Sequence, residues 1–285
     1  MPNSERGFAG LHVAAFESRR ATEVERMLTR AGAAASVSPS MREIPLEGSQ
    51  DVIRYARQVI AGEFDVVILM TGVGLRLLVG AIERPVGREP FLQALATCIT
   101  IARGPKPTAA LKDWGLRPTH QVPEPNTWRE ILALIDSQLP VAGLSVAVQE
   151  YGLPNHDLAA GIEARGATVT SAPIYRWGLP IDTAPLEANV RRVAAGRIDV
   201  VLFTSSQQVV HVIAIAARLG LEEELRWALP RAVIASIGPT TSATLRRENL
   251  PVDVEPEHPK LGHLIHAAAE QAPALVRLKR GCQHT

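Results

Sequence analysis

Short apolar runs, each hemmed in by glycine, proline or polar residues, recur along the chain: Val66 to Met70, Ile99 to Ala102, Val146 to Val148, Val200 to Phe203 and Val233 to Ile237. Runs that are apolar at every position, rather than at every second one, fit strands covered on both faces, the condition of a parallel sheet. Between the runs the apolar period changes. Val24, Met27, Leu28 and Ala31, and again Val209, Ile213, Ala216 and Leu219, return every three to four residues, as one face of a helix does. The alternation predicts an α/β protein with parallel sheets flanked by helices and right-handed crossovers.

The pattern occurs twice. GLHVA at Gly10 recurs as GLSVA at Gly143, 133 residues on, and DVVILMTG at Asp65 recurs as DVVLFTSS at Asp199, 134 residues on. ARGPKPTAAL, around Gly104-Pro105, recurs as SIGPTTSATL around Gly238-Pro239 at the same spacing of 134, which Gly32 and Gly166, Pro39 and Pro173, and Arg42 and Arg176 also keep. Several registers agreeing to one residue mark two copies of one ancestral unit. Met41 to Leu46 and Pro173 to Leu179 occupy equivalent places in the repeat, and their extended, proline-bearing patterns read as linkers. A boundary at both places predicts one discontinuous lobe of residues 1–40 plus 176–285 and an inserted lobe of residues 41–175.

A length of 285 residues accommodates two such domains, each with its own core. Hydrophobic residues at 46% and charged residues at 21% exclude a disordered chain. A balance of 30 basic against 29 acidic side chains lacks the positive excess that non-specific nucleic-acid binding requires. Cys98 and Cys282 have neither CxxC spacing nor neighbouring histidines, so no structural zinc site and no disulfide framework are expected. The opening MPNSERGFAG lacks the apolar core of a signal peptide, and no window approaches the roughly 20 apolar residues of a membrane span. The expectation is a soluble cytoplasmic protein with no membrane or nucleic-acid partner.

Ligands of open parallel sheets bind at the carboxyl ends of strands, which directs attention to four strand-to-helix turns. Thr71-Gly72-Val73-Gly74 and Thr204-Ser205-Ser206 follow the two DVV strands, while Gly104-Pro105-Lys106-Pro107 and Gly238-Pro239-Thr240-Thr241 follow the next strands and open helices. Amides at a helix start, reinforced by the helix dipole, suit carboxylates or phosphates, although each turn taken singly reads first as helix capping. The Gly72 turn is not a dinucleotide fingerprint, because Leu77 stands where the third glycine belongs. P-loop, GxSxG, HExxH and carboxylate-dyad patterns are also missing. His263 and His266 fall on one helix and read as surface positions. Tyr175, followed by Arg176 and Trp177, is a linker phenol able either to pack or to present its hydroxyl to a ligand as a weak acid. Arg19, Arg20, Arg103 and Lys106 stand at strand ends as possible anion partners, each singly more in keeping with a solvated side chain.

Together these residues resemble the uroporphyrinogen III synthase family. The resemblance runs from Gly10 to about Ala272 and rests on the duplication with its two linkers, FTSSQQVV at Phe203, IGPTTSATL at Ile237, PIYRW around Tyr175 and the closing LGHLIHAAAE. TGVGLRLL and ARGPKPTAALKDWGLRP look like one bacterial branch of it. The resemblance implies two flavodoxin-like lobes joined by two extended linkers, and a monomeric lyase without cofactor or metal that closes hydroxymethylbilane to uroporphyrinogen III with inversion of ring D and loss of water. It also implies a transient hand-off of substrate from hydroxymethylbilane synthase. Tyr175 would assist departure of the hydroxyl, and Thr71, Gly72, Gly104, Lys106, Thr204, Ser205, Ser206, Gly238, Pro239, Thr240 and Thr241 would hold the acetate and propionate groups. The chain departs from the family where many members carry a Gly-Asp and arginine motif: Gln149-Glu150-Tyr151-Gly152 stands there instead. Two alternatives remain, a tetrapyrrole-binding regulatory paralogue without turnover and a two-lobed binding protein for small anions.

Overall fold

In the computed structural model, which describes residues 7–46, 50–150, 152 and 154–281, the apolar runs are strands and the periodic stretches are helices. The chain forms two compact units, one made of the part up to Arg42 with everything from Gly178 onward, the other of Glu43–Trp177. The first unit opens with β1 (His12–Ala15), α1 (Ala21–Arg30) and β2 (Ala34–Val37), and the chain leaves it through β3 (Arg42–Pro45). The second unit runs through α2 (Gln50–Ile60), β4 (Val66–Leu69), α3 (Gly72–Ile82), α4 (Arg88–Thr97), β5 (Ile99–Ala102), α5 (Pro105–Lys112) and β6 (His120–Gln121). It continues through α6 (Trp128–Gln138), β7 (Ser145–Glu150), α7 (His156–Glu163) and β8 (Thr168–Pro173). Next comes β9 (Tyr175–Gly178), which pairs with β3, so both segments read as linkers are strands at their centres. The chain completes the first unit with α8 (Ala184–Ala194), β10 (Val200–Phe203), α9 (Ser206–Arg218), α10 (Glu222–Ala228), β11 (Val233–Ser236), α11 (Pro239–Arg247) and α12 (Leu261–Gly281).

Each unit has a parallel sheet, in the order β11-β10-β1-β2 in the first and β6-β5-β4-β7-β8 in the second. The strands are apolar throughout because both faces are covered. In the first unit Ala14, Val201, Phe203 and Ile234 enter one core with α8 and α9, while Val13, Val200, Leu202 and Val233 enter another with α1 and α12. In the second, Val67, Leu69 and Ala147 face α2, α3 and α4, and Val66, Ile68, Val146 and Val148 face α6 and α7. The buried stripe of α9 is Val209, Val212, Ile215 and Ala216, one step round from the expected face, with Ile213 and Leu219 only partly covered.

Polar side chains fasten the sheets where the apolar pattern stops. The aspartate of each DVV motif accepts the backbone N–H that begins the neighbouring strand: Asp199 Oδ2 from His12 at 2.9 Å, and Asp65 Oδ2 from Ser145 at 2.8 Å. That shared task gives a physical reason for the repeat to carry the residue twice. Asn189, on the buried face of α8, donates to the Ser36 carbonyl (3.1 Å) and Ser38 Oγ (3.2 Å) and accepts from Ser36 Oγ (2.9 Å), tying the late part of the first unit to its early part. The start of α6 is held by a reciprocal cap, in which Thr127 Oγ1 accepts from the Arg129 amide and Glu130 accepts from the Thr127 amide.

Among the described residues, three polar groups in the second unit are buried without full satisfaction, Glu43, Tyr55 and Glu150. Glu150 is 1% exposed; its Oε1 accepts from the Asn155 amide (3.3 Å) and Ser171 Oγ (3.1 Å), but its Oε2 has no partner, nor has the hydroxyl of Tyr55. Burial raises the Glu150 carboxyl above the ordinary range, against smaller opposing effects of its hydrogen bonds and of His156 and Arg103. A raised acid stabilises the fold at pH values below its unfolded pKa of about 4.3, and that contribution is lost as pH climbs through the folded value. Glu150→Gln is therefore expected to gain on the parent as pH rises from 4 to 8. Urea unfolding of both proteins across that range measures it, and parallel pH profiles would contradict the assignment.

Candidate functional site

The sequence-picked turns lie at the carboxyl ends of the strands and form one pair in each unit. In the second unit Thr71 caps α3, its Oγ1 accepting from the Gly74 amide at 2.9 Å. The same turn abuts the start of α5: a Cβ added to Gly72 would stand 2.4 Å from the Lys106 carbonyl oxygen, so only glycine allows this approach. In the first unit Ser205 caps α9 by accepting from the Gln207 amide (3.3 Å), and Ser206 Oγ donates to the Thr240 carbonyl (3.1 Å) at the start of α11. Ser206 and Thr240 are the repeat counterparts of Gly72 and Lys106. Two adjacent helix N-termini thus recur in each unit, an arrangement that favours negative charge.

The predicted residues are not equal partners in it. Thr204 is saturated from within: its amide is accepted by Gln208 Oε1 (2.7 Å), its hydroxyl donates to Glu17 Oε2 (2.6 Å), and Gln208 Nε2 donates to that hydroxyl (2.7 Å). This removes Thr204 from the donors open to a ligand and leaves Ser205 and Ser206, which are half-buried. At the Gly104 turn, Pro105 and Pro107 have no N–H, so of the first three residues of α5 only Lys106 carries an amide hydrogen. The Gly238 turn is better supplied, because behind Pro239 both Thr240 and Thr241 carry one. The Thr240 side chain is exposed, whereas Thr241 is buried and can offer only backbone.

Tyr175 is 1% exposed in the apolar core of the second unit, with the Trp177 ring edge-on at 5.2 Å between centroids. Its ring is a packing element. Arg20 pairs with Glu23 on the surface of α1, and the amides of Arg19 and Arg20 donate to Glu17 Oε1. His263 and His266 are exposed on α12, as expected. Of the four-residue departure from the family pattern, Tyr151 lies outside the described residues, as does Cys282. Among the described residues, no group of three or more histidine, cysteine, aspartate or glutamate side chains could hold a metal ion, and no helix is long and apolar enough to cross a membrane.

Residues not singled out for these turns prove to organise them. Strand order reverses between β1 and β10 in the first unit and between β4 and β7 in the second, the places where open sheets leave a crevice for ligands. Here the chain's own side chains occupy both. Glu17 sits at the start of α1 in one, and in the other Gln149 Oε1 accepts the Thr71 amide (3.3 Å) with Glu150 beside it. Glu17 and Glu150 are 133 residues apart, the spacing of the first repeat block, and that register was the signal that could have found them. In both units the reversal point is thus filled by an acceptor of the chain's own, Glu17 in the first and Gln149 in the second.

Comparison with known proteins agrees with this fold. The family model for uroporphyrinogen-III synthase HemD matches residues 22–266. The uncharacterized protein YjjA of Bacillus subtilis (strain 168) is 28% identical over 264 residues, covering 91% of this chain and 95% of that protein. A mutant uroporphyrinogen III synthase of the extremely thermophilic bacterium Thermus thermophilus superposes with a TM-score of 0.65 at 24% identity, over 97% of this chain and all of that one, a likeness of fold. A further structure of the Thermus thermophilus synthase gives 0.52 at 26% identity over 92% and 99%. With the family model spanning both copies of the repeat, the chain belongs to the uroporphyrinogen-III synthase family.

Proposed function

We propose that the protein closes hydroxymethylbilane, a linear tetrapyrrole, to uroporphyrinogen III with inversion of ring D and release of the terminal hydroxyl as water. The observation that carries this reading is the pair of adjacent helix N-termini in each unit of a member of this family. The substrate bears eight carboxylates, and the protein is nearly neutral at +1, so long-range attraction by net charge is weak. Backbone amides fixed by a sheet supply recognition without a countercharge to desolvate. The reaction on this reading needs no cofactor, and the protein works as a cytoplasmic monomer that receives its substrate from hydroxymethylbilane synthase.

Left alone, hydroxymethylbilane closes to the uninverted isomer I, so the product isomer reports directly on the enzyme. Incubation of freshly made substrate with the full chain is expected to give isomer III in excess. Dominance of isomer I at stoichiometric protein would instead favour a tetrapyrrole-binding regulator, a reading with which the burial of Tyr175 is compatible.

Tyr175→Phe keeps the ring that packs in the core and removes the hydroxyl. If that hydroxyl reaches the leaving group, turnover falls by roughly tenfold while the circular dichroism spectrum and unfolding midpoint hold. An unaltered rate would leave Tyr175 with its packing role alone.

Recognition by backbone also predicts an order among variants. Thr240→Pro deletes one of the two first-turn amides of α11 and is expected to raise KM by about tenfold, whereas Lys106→Ala, which removes an exposed charge, should change it by about threefold or less. Steady-state isomer III formation at two ionic strengths checks this; a steep salt dependence with near-total loss in Lys106→Ala would transfer recognition to side-chain charge.

A further inference from the structure

We propose that Gln149 and Gln208 are positioning residues for the two proposed ligand-binding turns, one in each unit, and that they do the same job from repeat positions that do not correspond. The functional half of this rests on reading the turns as carboxylate sites; the structural half does not.

Both side chains are completely buried at the carboxyl end of their sheet. Gln208, in the first turn of α9, accepts the Thr204 amide and donates to the Thr204 hydroxyl, both at 2.7 Å. Gln149, near the end of β7, accepts the Thr71 amide at 3.3 Å and donates to the Glu150 carbonyl. Each therefore satisfies an early amide of the chain as it leaves β10 or β4, and so sets the direction in which the following helix presents its remaining amides.

The repeat register shows how the two solutions relate. The counterpart of Gln208 is Gly74, and the counterpart of Gln149 is Phe16; the amides they hold are one step out of register as well, since the counterpart of Thr204 is Met70 and that of Thr71 is Ser205. A Cβ on Gly74 would stand 2.2 Å from Gln149 Nε2, so in the second unit the strand's glutamine occupies the space that a side chain from the helix would need. In the first unit the helix supplies the glutamine, and Phe16, the residue after β1, turns into the core to stack on Phe203 with centroids 5.6 Å apart. The cap changes with it. Thr71 accepts from Gly74, three residues on, whereas Ser205 accepts from Gln207, two residues on, which leaves the place opposite the Gln208 side chain clear. In the first unit an uncharged amide suits the place, because the Glu17 carboxylate lies one hydroxyl away and a second carboxylate there would meet like charge.

Gln149→Ala and Gln208→Ala are made in the full chain, with Gln149→Met and Gln208→Met to keep the volume should an alanine variant unfold. Amide hydrogen exchange at Thr71 and Thr204, and the KM and kcat of isomer III formation, are measured on each. A position-149 variant should speed exchange at Thr71 at least about tenfold and leave Thr204 unchanged, a position-208 variant should do the reverse, and each should raise KM by about tenfold with kcat within about threefold, the pattern of a lost binding geometry rather than lost chemistry. Unchanged Thr71 exchange in both position-149 variants, or unchanged Thr204 exchange in both position-208 variants, would overturn the proposal. Should the parent make no isomer III, the proposed activity fails but the exchange arm still decides the positioning role. Faster exchange with unchanged KM would overturn the functional half alone.

Discussion

A strand that is apolar on both faces can carry polar chemistry only at its ends, and that restriction shapes both halves of this chain. Side chains such as Val66, Leu69, Val200 and Phe203 are fully buried, so the sheets contribute nothing to a ligand except where they stop. At the amino ends the two aspartates of the repeat register neighbouring strands; at the carboxyl ends the chain turns into helices whose first amides have no intrahelical acceptor. A folded core and an edge of unused donors are thus two results of one pattern. The hydrophobic period that buries the strands also determines where the unused donors emerge.

The reversal of strand order should add an opening at the same edge, and in both units the chain closes it with its own side chains. Glu17 receives the amides of Arg19 and Arg20 and the hydroxyl of Thr204, and so stands where an external anion would otherwise meet α1. Gln149 fills the equivalent place in the second unit. Internal acceptors there satisfy amides of the edge beside the helix pairs α3 with α5 and α9 with α11. The two pairs differ in kind. α11 presents consecutive amides behind one proline, while α5, with prolines at its first and third positions, presents fewer amides and an exposed lysine.

Much of this was legible in the amino-acid sequence because the signals were local. Uninterrupted apolar runs identified the central strands, and the duplication identified the equivalent turns without any knowledge of their partners. The edge strands β2 and β8 were quieter: their side chains are mostly half-covered or exposed, so AASV and TVTSAP carry no clear period. The proline-bearing segments around Arg42 and Arg176 looked like linkers because neither shows that the other is its pairing partner. Thr204 looked open because the carboxylate that accepts the hydrogen bond of its hydroxyl is 187 residues away in the chain. The missing amides of Pro105 and Pro107, by contrast, follow from residue type alone.

The discontinuity of the first unit bears on how the chain is made. β1 and β2 leave the ribosome early, but β10, the strand on the other side of β1, and Asn189, which holds Ser36 and Ser38, are encoded beyond the whole of the second unit. At 5–20 residues per second, synthesis of the intervening stretch takes on the order of ten seconds. During that time a short parallel pair and one helix must wait with most of their apolar surface uncovered. The inserted unit, with its own contiguous sheet and cores, can fold meanwhile, so the order of assembly runs from the middle of the chain outward, and the nascent amino-terminal segment is the part with most need of a chaperone.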